Sequence, residues 1–372
     1  AVWQSCGYLH QPCNVREANA TVEKIKSDAS DAEVFYLDGD EETNEHVLEI
    51  GPGGKTNPVH HMYNEVVYVL NGRGATSVWY DDNRKQTFEW AEGAYFSIPM
   101  NAYYQHFNGS GAESTRMVSV TNLPGMIRKF ITPDFIWNNP YMFPDRLTND
   151  EGWASGGGQM YKGRVWETNF LPDAANMPMP KWGERGGGGT NIMLSLSDNT
   201  VSSHISEFQV GTYKKAHRHG PGAHLLITGG EGFALLWRNE DLSDLVMAPW
   251  QRGSLYLPTQ DAENEYFHQH FNTGTTPARY INMAPSNSRK YTYKRGMNEP
   301  EKMAEIRAMV SIKEGGIQLE YEDEPRRIHE IFEAELAKHG QECRMKNLVP
   351  WCTGVAGPGN RQGKLGVHSQ SD

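Results

Sequence analysis

A chain of 372 residues with a net charge of −11, 38 % hydrophobic and 11 % aromatic, holds enough apolar material for two sizeable cores and is long enough for two or three domains. The acidic balance argues against nucleic acid or an anionic membrane as partner, since both need a basic face, and no run of about eighteen apolar residues offers a bilayer span. Four cysteines, Cys6, Cys13, Cys343 and Cys352, lie near the two ends without zinc-knuckle spacing; a chain of this size needs no disulfide staples, so a reducing, cytoplasmic compartment is expected, with pairing of Cys343 and Cys352 left open.

Residues 1–45 are polar and mixed, with a short helix predicted over 15–27, and read as an N-terminal arm that docks elsewhere. From His46 the pattern becomes strand-like, with apolar runs at 46–50, 65–70, 76–80 and 87–90. Asn71 and Gly72 between two such runs are a hairpin signal, and Asp81, Asp82 and Asn83 form the next turn. Runs at 93–99, 104–108 and 117–124 complete a unit over 46–125. Residues 126–189 carry glycine clusters at 156–158 and 186–189 and many prolines, the composition of turns and loops without a core of their own. They read as a connection whose aromatic residues, Phe135, Trp137, Tyr141, Phe143 and Trp166 among them, pack onto flanking units. A second strand-rich unit spans 190–285. Residues 286–372 form a helical extension with helical spacing over 299–311 and 324–339 and a polar, glycine- and proline-containing tail over 353–372.

The two strand-rich units are copies. Tyr104, Gln105, His106, Phe107 and Asn108 lie over His268, Gln269, His270, Phe271 and Asn272, and Gly72 and Gly74 over Gly230 and Gly232. In that register His61 pairs with His219, but Val59 stands where His217 is and Tyr104 where His268 is. The N-terminal copy has lost ligands and reads as a degenerate site, although His60, His61, Glu65 and His106 keep polar groups there.

The chemistry concentrates in the second copy. Five of the fourteen histidines fall within 211–272, where an even spread would place about two. His217 and His219 project to one side of an extended segment while Arg218 points away; His224 follows behind a Gly-Pro-Gly turn, and His268 arrives from a distant strand. His217, His219, His224 and His268 are therefore the candidate metal ligands, and an all-imidazole set suits Fe, Mn, Ni, Zn or Cu better than Ca or Mg. His270, two residues beyond His268 and so on the same side of a strand, is the leading candidate for proton transfer, with a role as a further ligand or as a donor supporting the ligands left open. Lone histidines beside apolar strands are ordinarily satisfied structural residues, and His10, His46, His204, His329, His339 and His368 are read that way.

These residues resemble the cupin superfamily. Its first motif, G-x5-H-x-H-x4-E-x6-G, matches from Gly211 through His217 and His219, with His224 in place of the glutamate and the closing glycine one residue early at Gly230. Its second motif is followed in order by Gly253, Pro258, His268 and Asn272. The resemblance implies an all-β chain: two jelly-roll barrels in tandem with a helical C-terminal extension and a metal inside the mouth of the second barrel.

Two-barrel chains of this size resemble the gentisate and hydroxynaphthoate dioxygenases, which implies an Fe(II)-dependent dioxygenase acting with O2 on a small aromatic, dicarbonyl or hydroxy-acid substrate. The intact constellation is C-terminal here, whereas in that group it is N-terminal. A redox-inert metal-dependent lyase, decarboxylase or isomerase is the alternative, and a non-catalytic small-molecule-binding cupin the third. A homo-oligomer, most simply a homodimer, is expected. No phosphate-binding loop, nucleophile elbow or dinucleotide fingerprint is present.

Overall fold

The computed structural model describes residues 32–37, 42–161, 164–220, 223–258, 266–285, 310–352 and 354. The helices expected over 15–27 and 299–311 and the tail over 353–372 lie outside the described residues but for 310, 311 and 354. The first copy forms β1 (Ala32–Leu37), β2 (Asn44–Ile50), β3 (Glu65–Asn71), β4 (Arg73–Asp81), β5 (Arg84–Ala91), β6 (Tyr95–Ser97), β7 (Tyr103–Asn108) and β8 (Thr115–Thr121). Two short helices follow, α1 (Leu123–Phe130) and α2 (Pro133–Trp137), then β9 (Gly158–Tyr161), β10 (Val165–Thr168) and β11 (Phe170–Leu171). The second copy supplies β12 (Thr190–Leu196), β13 (Ser202–Phe208), β14 (His224–Gly229) and β15 (Glu231–Trp237). It continues with β16 (Val246–Gln251), β17 (Leu255–Tyr256), β18 (Phe267–Asn272) and β19 (Ala278–Met283), and α3 (Arg326–Lys338) comes last.

The strands close two jelly-roll barrels. In the first, a sheet ordered β1-β2-β8-β3-β6-β11 faces β5-β4-β7; in the second, β17-β14-β19-β13-β12-β10-β9 faces β16-β15-β18. β1 comes from residues grouped by composition with the polar arm, and it pairs antiparallel along its whole length with β2. The glycine- and proline-rich connection likewise contributes strands to both barrels: β11 pairs with β6, and β10 with β12. These pieces are two to four residues long, too short for alternation to show.

The duplication is visible in the pairing. β3 and β14 each carry an irregularity after which Asn71 lies opposite Arg116 and Gly229 opposite Arg279. The next residue in each copy, Gly72 or Gly230, turns with a positive φ of 91° or 80°. A Cβ there would stand 2.3 Å from Thr115 Oγ1 or 2.7 Å from the Ala278 Cα, so only glycine fits. Counting back from this turn, Val66 corresponds to His224 and Glu65 to Ala223.

The large sheets pack face to face. Val47, Val66, Tyr68 and Tyr95 of the first barrel share one apolar core with Ile192, Leu194, Leu226 and Ile281 of the second. The C-terminal extension covers the opposite, small sheet of the second barrel. Ile328, Ile331, Phe332 and Leu336 form one face of α3 at helical spacing and pack with Tyr213, Phe233 and Phe271. Before α3, the extension runs beside the barrel mouth: Arg218 N–H donates to the Ile317 carbonyl (3.1 Å) and Leu319 N–H to that of Ala216 (2.9 Å). Among the described residues no helix is long and apolar enough to cross a membrane.

Candidate metal centre

His217 and His268 are held together by their backbones, each N–H donating to the other's carbonyl at 3.2 and 2.9 Å. Their rings lie 4.2 Å apart, with His219 4.7 Å from His268 and 5.3 Å from His217. One nitrogen from each of the three falls within 4.8 Å of the other two, a convergence three ligands to one metal ion require. The tautomers are prepared as well. His219 Nδ1 donates to the Gly220 carbonyl at 2.7 Å and His268 Nδ1 to that of Tyr266 at 3.4 Å, which puts the proton of each ring on Nδ1. His217 Nδ1 is buried with no hydrogen-bond partner among the described residues. Burial, reinforced by Arg185 and the neighbouring histidines, holds His217 well below the usual imidazole range; burial, then His219 and His270, does the same for His268. Three imidazoles converging on one point, two of them held in the neutral form by burial, are a donor set that fits a divalent transition metal.

His224 does not join this group, which corrects the expected four-histidine set. It is the first residue of β14 and corresponds to Val66, whose side chain lies in the core between the barrels. Its Nε2 is 2.6 Å from Thr43 Oγ1, and its Nδ1 contacts the Glu45 carboxylate, both at the start of β2 in the first barrel. The residue that faces inward at the fourth position is the one before it, Ala223, the counterpart of Glu65. A slip of one residue along a strand moves a side chain to the other face.

His270 lies where the duplication places it, its ring 5.7 Å from that of His268. Its Nδ1 is 2.7 Å from Tyr256 Oη, and burial, then Lys214 and Arg185, push it down to about 3. Arg218 points away from the centre, exposed over the Phe267 ring. Sequence reasoning passed over Lys214. Between the Tyr213 to Phe271 and His217 to His268 bridges, four steps on one side oppose three on the other, so the segment carries a bulge that turns Lys214 inward. Its amine is buried, 3.3 Å from Tyr280 Oη and 4.9 Å from the Tyr280 ring centroid, and the Tyr280 ring lies tilted 5.2 Å from that of His270. No carboxylate pairs with Lys214 among the described residues. Burial, then Arg185 and Arg164, hold it well below the ordinary lysine range. Arg185 itself is buried and reaches Gln318 Oε1 at 3.4 Å, and Gln318 flanks His217 from the extension.

In the first barrel the corresponding positions satisfy one another. His61 Nε2 is 3.1 Å from Glu65 Oε2 and 3.3 Å from Tyr104 Oη, and Tyr104 donates to the same carboxylate at 2.9 Å. His46 lies 3.8 Å from the other oxygen. Against the burial that would raise it, the hydrogen bond and charge of His61 hold Glu65 down to about 2. His106 is bound to Thr76 Oγ1 at 2.7 Å and His60 to Asn101 Oδ1 at 3.0 Å.

No family model and no curated protein matches the chain. Solved structures similar to it include an oxalate decarboxylase, at 12 % identity and a TM-score of 0.45 over 70 % of this chain and 74 % of that one. A single-residue mutant of Bacillus subtilis oxalate decarboxylase gives the same figures of 12 %, 0.45, 70 % and 74 %. Vicilin from Corylus avellana, hazelnut, is similar at 12 % identity and a TM-score of 0.43 over 68 % of this chain and 80 % of that one.

Proposed function

We propose that the chain is a metal-dependent enzyme that binds a small carboxylate substrate at the triad of His217, His219 and His268 and carries out redox-neutral chemistry on it, as a lyase, decarboxylase or isomerase does. The observation that carries this reading is the buried Lys214 amine beside His270 and Tyr280, with no carboxylate paired to it among the described residues and Arg185 close enough for its charge to act on Lys214, His217 and His270. Burial and the two arginines disfavour its protonated form, and a bound carboxylate would favour that form by pairing with it. When bound, a divalent ion held by three neutral imidazoles keeps its full charge and acts as a Lewis acid on substrate oxygens.

The chain's own groups do the rest. Lys214 and Arg185 fix the carboxylate and hold its negative charge in a site of low dielectric. The pair of Tyr256 and His270, joined at 2.7 Å, can deliver or remove a proton on the face of the substrate away from solvent. Gln318 and the segment of the extension beside His217 keep water from that side.

The second reading is the Fe(II) dioxygenase. With His217, His219 and His268 as its protein ligands, an iron ion would have room for a substrate bound through two atoms together with O2, more than the four-histidine set would leave. Anaerobically purified protein, assayed with small mono- and dicarboxylates, hydroxybenzoates and diketones with and without oxygen, separates the two. Turnover of a carboxylate without O2, with Lys214→Met raising KM by about 10- to 150-fold from a lost charge-assisted hydrogen bond of about 1.5–3 kcal/mol, is the expected outcome. Substrate-dependent oxygen uptake at one O2 per product overturns it in favour of the dioxygenase.

A further inference from the structure

A second cluster of metal-ligand side chains lies in the extension, away from the triad. His329 and Glu333 occupy consecutive turns of α3, and Cys343 and Cys352 come from the segment that folds back across it. One donor atom from each lies within 4.8 Å of the other three. His329 Nε2 is 3.1 Å from Glu333 Oε1 and 4.0 Å from Cys343 Sγ; Cys352 Sγ is 3.4 Å from Cys343 Sγ and 3.9 Å from Glu333 Oε1. Metal–ligand bonds of about 2.3 Å to sulfur and about 2.0–2.1 Å to nitrogen and oxygen, arranged tetrahedrally, give donor–donor edges of roughly 3.3–3.8 Å. The observed edges bracket that range. A disulfide needs about 2.0 Å between the sulfurs, and both cysteines are free.

The surroundings match what coordinated ligands require. Each sulfur accepts a backbone N–H from two residues ahead, Cys343 from Met345 and Cys352 from Gly354 at 3.3 Å, and such bonds stabilise thiolates. The nitrogen of His329 that faces away from the cluster, Nδ1, is 3.0 Å from Tyr213 Oη, and Tyr213 donates in turn to Glu324 at 2.7 Å. That direction requires Nδ1 to carry the proton, leaving the Nε2 lone pair for a cation. The side chains of His329, Cys343 and Cys352 are buried, within the core that joins the extension to the small sheet.

We propose that His329, Glu333, Cys343 and Cys352 bind one zinc ion tetrahedrally, a structural site that clamps the C-terminal extension to the second barrel. Binding releases the two thiol protons, and the ion's charge offsets two thiolates and one carboxylate down to a net of about −1. Through Tyr213, Glu324 and Gln269, which donates to Glu324 at 2.6 Å, the clamp braces the two segments that present His217 and His268.

Cobalt(II) added to reduced, metal-stripped full-length protein tests this, because thiolate-to-cobalt charge transfer absorbs in the near ultraviolet and a histidine triad cannot produce it. We expect the band to saturate at one cobalt per chain with tetrahedral visible transitions. His219→Ala keeps the band, and Cys343→Ser with Cys352→Ser loses it together with one metal per chain. Absence of the band in the reduced wild-type protein overturns the proposal whether or not the serine variant folds. So does a disulfide between Cys343 and Cys352, found by peptide mapping of protein purified without reductant.

Discussion

Replacing His224 with alanine separates a ligand from an inter-barrel contact. The side chain is fully buried and joins β14 to the first barrel through Thr43 Oγ1 at 2.6 Å and the Glu45 carboxylate, itself buried. Truncation leaves that carboxylate without its partner, and breaking a buried pair from one side costs about 3–5 kcal/mol. At roughly 2–4 °C per kcal/mol for the two barrels melting together through their shared core, melting falls by about 6 °C or more. The triad is untouched, so metal per folded chain stays at the wild-type value. His219→Ala gives the opposite pattern: the triad metal is lost and melting of the metal-free protein barely changes. Differential scanning calorimetry of metal-free protein, with elemental analysis of the reloaded protein, reads both. Loss of triad metal in His224→Ala with unchanged melting refutes the register and returns His224 to the ligand set.

Two further predictions use the same geometry. Ala223→Glu restores a carboxylate at the position Glu65 occupies in the first barrel, and should tighten the triad's hold on manganese or zinc by about tenfold, about 1.4 kcal/mol, in competition with a chelator; unchanged retention by a folded variant contradicts the assignment. Burial raises Glu324 to about 7, against the hydrogen bonds of Gln269 and Tyr213 that oppose it. The folded state therefore binds this proton more tightly than the unfolded chain. Stability from this group is present below about 4.5 and lost as pH rises to about 7, by on the order of 3 kcal/mol, and Glu324→Gln should flatten that slope in denaturant titrations from pH 4.5 to 7.5. An equal slope in wild type and variant rules the group out as its source.

Much of this protein is written locally in its sequence. Alternating strands, glycines at sharp turns and a repeated four-residue phrase need only neighbours along the chain to be read, and from them the two strand-rich units, their correspondence and the grouping of His217, His219 and His268 follow. The early closing glycine, Gly230, also carried the sign that His224 was one residue out of register: Glu65 to Gly72 has the motif's six-residue spacing, and so does Ala223 to Gly230.

Tertiary structure decided whatever depends on a chain meeting a distant partner. The bulge that turns Lys214 inward exists only because the segment from Tyr213 to His217 pairs against Phe271 and His268 out of step. β1, β10 and β11 are strands because a neighbouring edge offers its hydrogen bonds, not because their own pattern demands it. His329 reads as an ordinary helical histidine until the chain folds Cys343 and Cys352 back onto α3. Spacing along a strand or helix is set by fixed backbone geometry and survives in sequence, whereas convergence of side chains from separate elements is set by packing, which no short stretch of sequence contains.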